Sequence, residues 1–191
     1  DKFSYAYRLT ESEFIQFDRL IKTLKKRNAV KDSVAILYGT DDVVSKAVGL
    51  YIMKPILTKE KVNITGPIGF ATKAFDLAPQ VSQLKGKNID YVGLAGITPV
   101  AIRVVKEMRR QGIKAPIIGG QIWADPEIVE KMGKDGDDAV FTTSFYYDLN
   151  EKTRNFTKKF VDGAKKKGIV KPFPHHVDAA AYDIVLSLIH I

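Results

Sequence analysis

The chain has no cysteine among its 191 residues. That excludes disulfide scaffolds, thiolate-bound zinc, iron–sulfur clusters and thiol nucleophiles. The lack is compatible with an oxidising compartment without requiring one. No apolar run approaches the roughly 18–20 residues that span a membrane. Phosphate-binding signatures are missing too. No P-loop Gly-Lys-Ser/Thr occurs, only Gly39 follows the first expected strand, and Gly93 and Gly96 lack the third glycine of a dinucleotide fingerprint. There is no Gly-x-Ser-x-Gly elbow of the hydrolase type. Asp1 is not an initiator methionine and no leader is recognisable, which reads as a processed chain or part of a longer one. The apolar stretch Tyr182 to Ile191 stops without a cap or polar tail and favours the second reading.

What is present is globular. Hydrophobic residues make up 45% and charged residues 27%, and the length suits a single domain. Thirty Lys and Arg against 22 Asp and Glu give a net charge of +8. Much of the excess sits in Lys25-Lys26-Arg27 and Lys165-Lys166-Lys167, each at the end of an expected helix. Cations there complement the helix dipole and stay solvated. A nucleic-acid surface needs a basic stripe with interleaved aromatics or a recognition module, and neither is visible. No nucleic-acid partner is expected.

Short apolar runs alternate with amphipathic segments. Helices are expected over 11–28, from Asp42 to about Leu57, over Leu77–Leu84, from Thr98 to Gly112, from Asp125 to about Met132, from Asn150 to Gly168 and from His175 or His176 onward. Thr10 and Glu13 read as a capping box, with Phe14, Phe17, Ile21 and Leu24 on one face. Pro55 is expected to shorten or kink its helix. Thr98 reads as a cap, followed by Pro99 at the first helical position. Strands are expected at Ser33–Tyr38, Val62–Thr65, Ile89–Leu94, Pro116–Ile118 and Asp138–Phe145. Lys171-Pro-Phe-Pro174 reads as an extended linker. The fold expected is α/β: a doubly wound, mainly parallel five-stranded sheet with helices on both faces.

In such sheets ligands bind beyond the carboxyl ends of the strands, near a topological switch point. That selects the loops Tyr38–Val43, Leu94–Thr98 and Gly119–Trp123. Asp41 and Asp42 resemble the acidic pair of receiver-type domains, but a helix cap with a solvated neighbour is the plainer reading. Trp123 either stacks on a ligand or packs against a neighbouring loop. Tyr146-Tyr147 either line the same cleft or pack at an edge. His175 and His176 are adjacent and diverge on a helix, so even with Asp178 nearby they lack the i, i+4 convergence of a metal site. No metal, cofactor or catalytic residue is expected.

The order of segments resembles a family. Tyr5-Ala-Tyr-Arg8, Val34-Ala-Ile-Leu-Tyr38, Asn88-Ile-Asp-Tyr-Val-Gly-Leu-Ala-Gly96, Gln111-Gly-Ile-Lys-Ala-Pro-Ile-Ile-Gly119 and Ala179-Ala-Ala-Tyr-Asp183 follow one another. In that order they resemble the C-terminal lobe of type I periplasmic binding proteins, the branched-chain amino acid and amide-type solute receptors of ABC transporters. The resemblance implies a ligand-binding lobe over 1–174 and, over 175–191, a helix returning toward a first lobe that lies outside this sequence. It implies ligand-binding positions at Tyr38, Asp42, Val43, Ile97, Gln121 and Trp123.

Some positions depart from the family pattern. Val43-Val44 stand where members often have a ligand-contacting Tyr-Gly pair, and the Leu94–Ile97 segment replaces a more aromatic loop. Gln121 stands where amino-acid binders place a carboxylate opposite the ligand's ammonium. A neutral amide does not offset a buried cation, so these changes point toward an apolar or aromatic carboxylic acid, or a solute with an uncharged end. The function expected is extracytoplasmic binding of a small organic acid or amino-acid-like ligand, by hinge closure between two lobes, with an ABC permease or membrane sensor as partner. Alternatives are the sensory domain of a receptor, the effector domain of a transcription regulator and a nucleotide-binding enzyme domain.

Overall fold

The computed structural model describes residues 10–170 and 172–189; Tyr5–Arg8 and Lys171 lie outside the described residues. The chain divides into two compact units, Glu13–Thr142 and the combination of Asp1–Ser12 with Thr143–Ile191.

The larger unit holds a five-stranded, all-parallel sheet in the order β2-β1-β3-β4-β5. Its strands are β1 (Ser33–Gly39), β2 (Asn63–Phe70), β3 (Tyr91–Ala95), β4 (Ile117–Gly119) and β5 (Val140–Phe141). β1 is an unbroken apolar run, as a strand covered on both faces requires, and Val34 to Leu37 are buried. Odd and even positions serve different layers. Val34 and Ile36 join Ile118 in packing against Phe17, Ile21, Met53, Ile56 and Leu57. Ala35 and Leu37 join Val92, Leu94 and Ile117 in packing against Val81, Val100, Val104, Met108 and Ile128. The first set of helices is α1 (Glu13–Lys26), α2 (Val43–Lys46), a π-helical segment (Ala47–Met53) and α3 (Lys54–Lys59). The second is α4 (Ala78–Ser82), α5 (Thr98–Arg110) and α6 (Pro126–Met132). The sheet is therefore wound in both directions, as its sequence pattern requires.

Several boundaries differ from expectation for local reasons. Pro55 neither ends nor shortens its helix. The turns ahead of it widen to π geometry, with the Lys54 N–H donating to the Gly49 carbonyl, and the helix continues to Lys59. β2 runs on through Gly66 (φ +97°) and the cis peptide to Pro67, with a register irregularity opposite Ala35–Leu37. As an edge strand it tolerates a residue without an N–H. β5 is only two residues long, at the other edge. Phe17, Ile21 and Leu24 of α1 are buried, whereas Phe14 is exposed. α5 is capped by Ile97, and Thr98 is its first helical residue, its hydroxyl donating to Asp125 Oδ2 at 3.2 Å. Gly112 (φ +78°) follows the end of that helix.

The second unit contains α7 (Glu151–Lys166) and α8 (His176–Ile189). Asn150 caps α7 in a reciprocal pair with Thr153. The Phe156 ring meets Phe145 at 5.5 Å, Phe160 at 6.1 Å and Tyr182 at 5.1 Å, and the Tyr146 and Tyr147 rings lie 4.8 Å apart, tilted by 46°. The His175 and His176 rings lie 4.0 Å apart at the start of α8. Burial first, then the neighbouring His175, lowers the His176 pKa to about 4.

Candidate functional site

The carboxyl edge of the sheet is formed by the strand ends at Gly39, Phe70, Ala95 and Gly119. Tyr38 stands opposite Ala95 in the β1–β3 register. The chain leaves β1 for the helices on one face and leaves β3 for α5 on the other. Their loops diverge, and that divergence is the switch-point crevice where ligands of such sheets sit.

The loop after β1 is built around two carboxylates with separate tasks. Asp42 caps α2, accepting from the Ser45 N–H at 2.7 Å and the Ser45 hydroxyl at 2.6 Å. Asp41 reaches sideways and accepts from the Thr72 N–H at 2.8 Å and the Thr72 hydroxyl at 3.1 Å. The Thr72 N–H is the main reason its pKa lies below the usual value. Asp41 thus ties the loop after β1 to the loop after β2, a role beyond that of a solvated neighbour. The Arg103 guanidinium holds the same β2 loop from the other side, donating to the carbonyls of Thr72, at 2.8 Å, and Ala74.

Val43 and Val44 follow the Asp42 cap and are 83% and 66% exposed. Ile97, the cap of α5, is also exposed. Tyr38 is half-buried against the neighbouring backbone: a Cβ on Gly49 would come within 2.6 Å of the Tyr38 Cβ, and one on Gly69 within 3.3 Å of its phenol oxygen. Glycine at these positions leaves room for the Tyr38 side chain.

The loop after β4 is a 3-10 turn, Gln121–Ala124. Gln121 opens it at the edge. Trp123 does not face outward: it is 1% exposed and belongs to the core layer of α5 and α6. The turn folds the indole back against Gly119, where an added Cβ would fall 2.2 Å from the ring. Packing, the second of its two sequence readings, describes its place in this unit, and its Nε1 is buried without a hydrogen-bond partner.

One residue at this edge was read from the sequence only as half of a capping box. Glu13 is the first residue of α1, beyond which Thr10 lies too far upstream for the expected capping box. Its carboxylate crosses to the β4 loop and accepts from the Gln121 N–H at 3.2 Å. Burial raises its pKa, and the Gln121 N–H offsets this in part. A Cβ on Gly120 would lie 2.3 Å from Glu13 Oε1, so the second glycine of the Gly119-Gly120 pair makes room for the carboxylate. That glycine pair was the only trace of the arrangement in the sequence.

Elsewhere in this unit a groove lined by Ala78, Pro79, Ser82, Lys85, Arg110 and Gln111 lies between α4 and the far end of α5. It is remote from the carboxyl edge. No cluster of three metal-ligating side chains occurs among the described residues.

A doubly wound parallel sheet thus carries apolar and carboxylate side chains at its carboxyl edge. The chain belongs to the periplasmic binding protein family, whose model matches residues 1–190. No curated protein matches it in sequence. Its fold is similar to that of a leucine-binding protein from Thermotoga maritima (22% identity, TM-score 0.76, 94% of this chain and 49% of that one). A putative branched-chain amino acid ABC transporter protein from Silicibacter pomeroyi is similar at 11% identity and TM-score 0.75, over 94% of this chain and 45% of that one. An ABC transporter substrate-binding protein from Aeropyrum pernix is similar at 13% identity and TM-score 0.68, over 85% and 42%. The chain spans about half the length of these structures. No helix among the described residues is long and apolar enough to cross a membrane.

Proposed function

We propose that this chain is the C-terminal ligand-binding lobe of an extracytoplasmic solute receptor, serving an ABC permease. A small organic acid or amino-acid-like solute binds at the carboxyl edge and bridges to a second lobe. Closure follows because the solute contacts both lobes only in the closed state, and a ligand shifts an equilibrium by its differential affinity. The proteins binds its solute without making or breaking a bond.

The observation that carries this reading is the exposure of Val43, Val44 and Ile97 around the β1–β3 switch point, in a chain about half as long as its structural relatives. These side chains would form the apolar wall, with Tyr38 beside them. Asp42 would hold the loop rather than the solute, because Ser45 engages its carboxylate. Trp123 would shape the β4 loop from beneath, leaving Gln121 as that loop's contact. Residues 1–174 would form the lobe, and α8 would return toward the second lobe, with Tyr182, Ile184, Val185 and Leu186, exposed in this chain, packing there.

A thermal-shift screen of the full-length protein tests the reading. The panel comprises amino acids, aliphatic and aromatic carboxylates, sugars, nucleotides and a short DNA duplex. A ligand at about 100 times its Kd stabilises by about 2.7 kcal/mol, a readable shift. We expect a shift with an organic acid or amino acid, and its loss in Val43→Asp and Ile97→Asp. A shift with nucleotide or DNA alone would overturn the reading.

A further inference from the structure

The groove between α4 and the end of α5 has a second chamber. The first, of about 460 Å³, is lined by Lys85, Arg110 and Gln111 among others. The second, of about 310 Å³, runs along the turns 84–89 and 112–115 and is lined by Lys85, Lys87, Gln111 and Lys114. Lys85 and Gln111 border both chambers. The two turns lead into β3 and β4, so the groove lies at the amino edge of the sheet, away from the proposed solute edge. We propose that this groove is a second binding site, for a phosphate ester that also carries a hydroxyl group. The proposal does not rest on the solute-receptor reading.

Three observations support the assignment. First, the charge on the lining is of one sign. Lys85, Lys87, Arg110 and Lys114 line the chambers, and no aspartate or glutamate does. Glu107, beside them, is held by Arg110, whose Nε and one terminal nitrogen each donate to it at 2.6 Å, and Lys85 adds a weaker attraction. Lys85, Lys87 and Lys114 are exposed and form no ion pair among the described residues. Second, the neighbouring helix ends do not need these lysines. At the end of α5 the carbonyls of Glu107, Met108 and Arg109 accept from the N–H groups of Gln111, Ile113 and Gly112. The Arg109 guanidinium takes the carbonyls of Ile113, at 2.7 Å, and Ala115, at 3.0 Å. At the end of α4 the carbonyls of Gln80, Val81 and Ser82 accept from Gln83, Leu84 and Lys85. Third, Gln111 has an acceptor to spare. Its amide nitrogen donates to the Ala78 carbonyl at 3.1 Å and to Glu107 Oε1. Both partners are acceptors, which fixes the orientation of the amide. Its carbonyl oxygen is then left buried with no donor beside it, a cost that a ligand hydroxyl would remove. Clustered ammonium groups suit a phosphoryl dianion, whose oxygens take charge-assisted hydrogen bonds. Chambers of this size exceed a bare anion and admit the carbon skeleton of an ester.

Glycerol phosphate has this chemistry both as a free ester and as the headgroup of phosphatidylglycerol, and the test has an arm for each. Titration calorimetry of the full-length protein compares sn-glycerol 3-phosphate with methyl phosphate, which keeps the phosphate and lacks the alcohol. Glycerol 3-phosphate should bind at least about threefold more tightly, the effect of one neutral hydrogen bond. A groove variant combining Lys85→Gln, Lys87→Gln and Lys114→Gln should weaken it by about 10-fold or more. A control variant combining Lys165→Gln, Lys166→Gln and Lys167→Gln removes the same charge from an exposed run elsewhere and should leave it within about twofold. In the second arm, co-sedimentation with mixed phosphatidylglycerol and phosphatidylcholine vesicles is compared with phosphatidylcholine alone. Retention on the anionic vesicles, lost only in the groove variant, would support the proposal with a lipid headgroup as the source of the phosphate. Calorimetric binding without retention would support it with a free ester. Equal losses in the two triple variants would reduce the effect to net charge and overturn the proposal. So would methyl phosphate binding as tightly as glycerol 3-phosphate, or binding in neither arm. The groove variant should keep the solute-induced thermal shift, so failure here leaves the solute-receptor reading standing.

Discussion

Two neighbouring glycines show how much a single Cβ decides in this chain. At Gly119 the added methyl would meet the rigid indole of Trp123 at 2.2 Å, and the ring has no room to retreat from a close-packed core. Gly119→Ala should therefore cost about 1–3 kcal/mol, the range for overpacking. At Gly120 the methyl would meet the far end of the Glu13 side chain, which can swing away. Gly120→Ala should cost less than about 1 kcal/mol, in the range of ordinary surface changes, while moving the carboxylate. Urea denaturation of the two variants checks the contrast, and equal losses would refute it. The sequence placed Gln121 and Trp123 on one loop after a strand but not their depth. A 3-10 turn of four residues, too short to carry a periodic signal, sends one side chain to the edge and the other into the core. Glu13 was read as the capping-box partner of Thr10, which precedes it by three residues. Its long-range bond, spanning 108 residues, leaves no local trace beyond a second glycine.

Helices and strands were legible where their chemistry is local. The caps at Asp42, Asp125 and Asn150 all accept the backbone N–H expected of them, because capping needs only the residue and its next turn. Asp42 has the added load of starting α2 beside the proposed solute wall. Asp42→Ala should cost about 1 kcal/mol through the lost cap and should also loosen Val43 and Val44. Hydrogen exchange of the α2 amides, measured beside the denaturation midpoint, separates the two effects. A variant with wild-type exchange in α2 would show that the π-helical segment behind it, rather than the cap, holds that helix start. Elements whose course depends on neighbours were less legible. The second strand was expected over Val62–Thr65, but an edge position lets β2 continue through Gly66-Pro67 to Phe70. Asp138 to Phe145 alternates well enough for a longer strand, yet ladder pairing to β4 is limited to Ile118 with Val140 and Gly119 with Phe141. Pro55 was expected to shorten or kink its helix; the turns ahead of it widen to π geometry and the helix runs on to Lys59.

At the scale of the molecule the layer architecture followed from the order of apolar runs, since a buried parallel sheet needs continuous strands and amphipathic crossovers. The response of stability to pH is a property of the same scale, and two groups drive it in opposite directions. His176 has a folded pKa of about 4 against an ordinary 6.5, so between those values the unfolded chain binds more protons than the folded one. Stability contributed there is full above pH 6.5 and is lost as pH falls toward 4. Glu13 is the reverse case. Burial raises its folded pKa above 4.5, so the folded state takes up its proton first, and stability from this group grows as pH falls through that raised value. Asp18, Asp41 and Glu107, held by hydrogen bonds below their ordinary values of 3.8, 3.8 and 4.5, lose their contributions only as pH nears those ordinary values, at the acid end of the range. Denaturation midpoints taken from pH 7 down to 4.5 should therefore separate the two. His176→Gln should flatten the acid decline, leaving pH 7 stability nearly unchanged. Glu13→Gln should raise stability at pH 7, with the gain shrinking toward pH 4.5 as the wild-type carboxyl protonates. The double variant should show the flattest profile of the four proteins, because it lacks both opposing slopes. A decline that persists unchanged in His176→Gln would mean that the imidazole is already protonated in the folded state and that burial does not govern its titration.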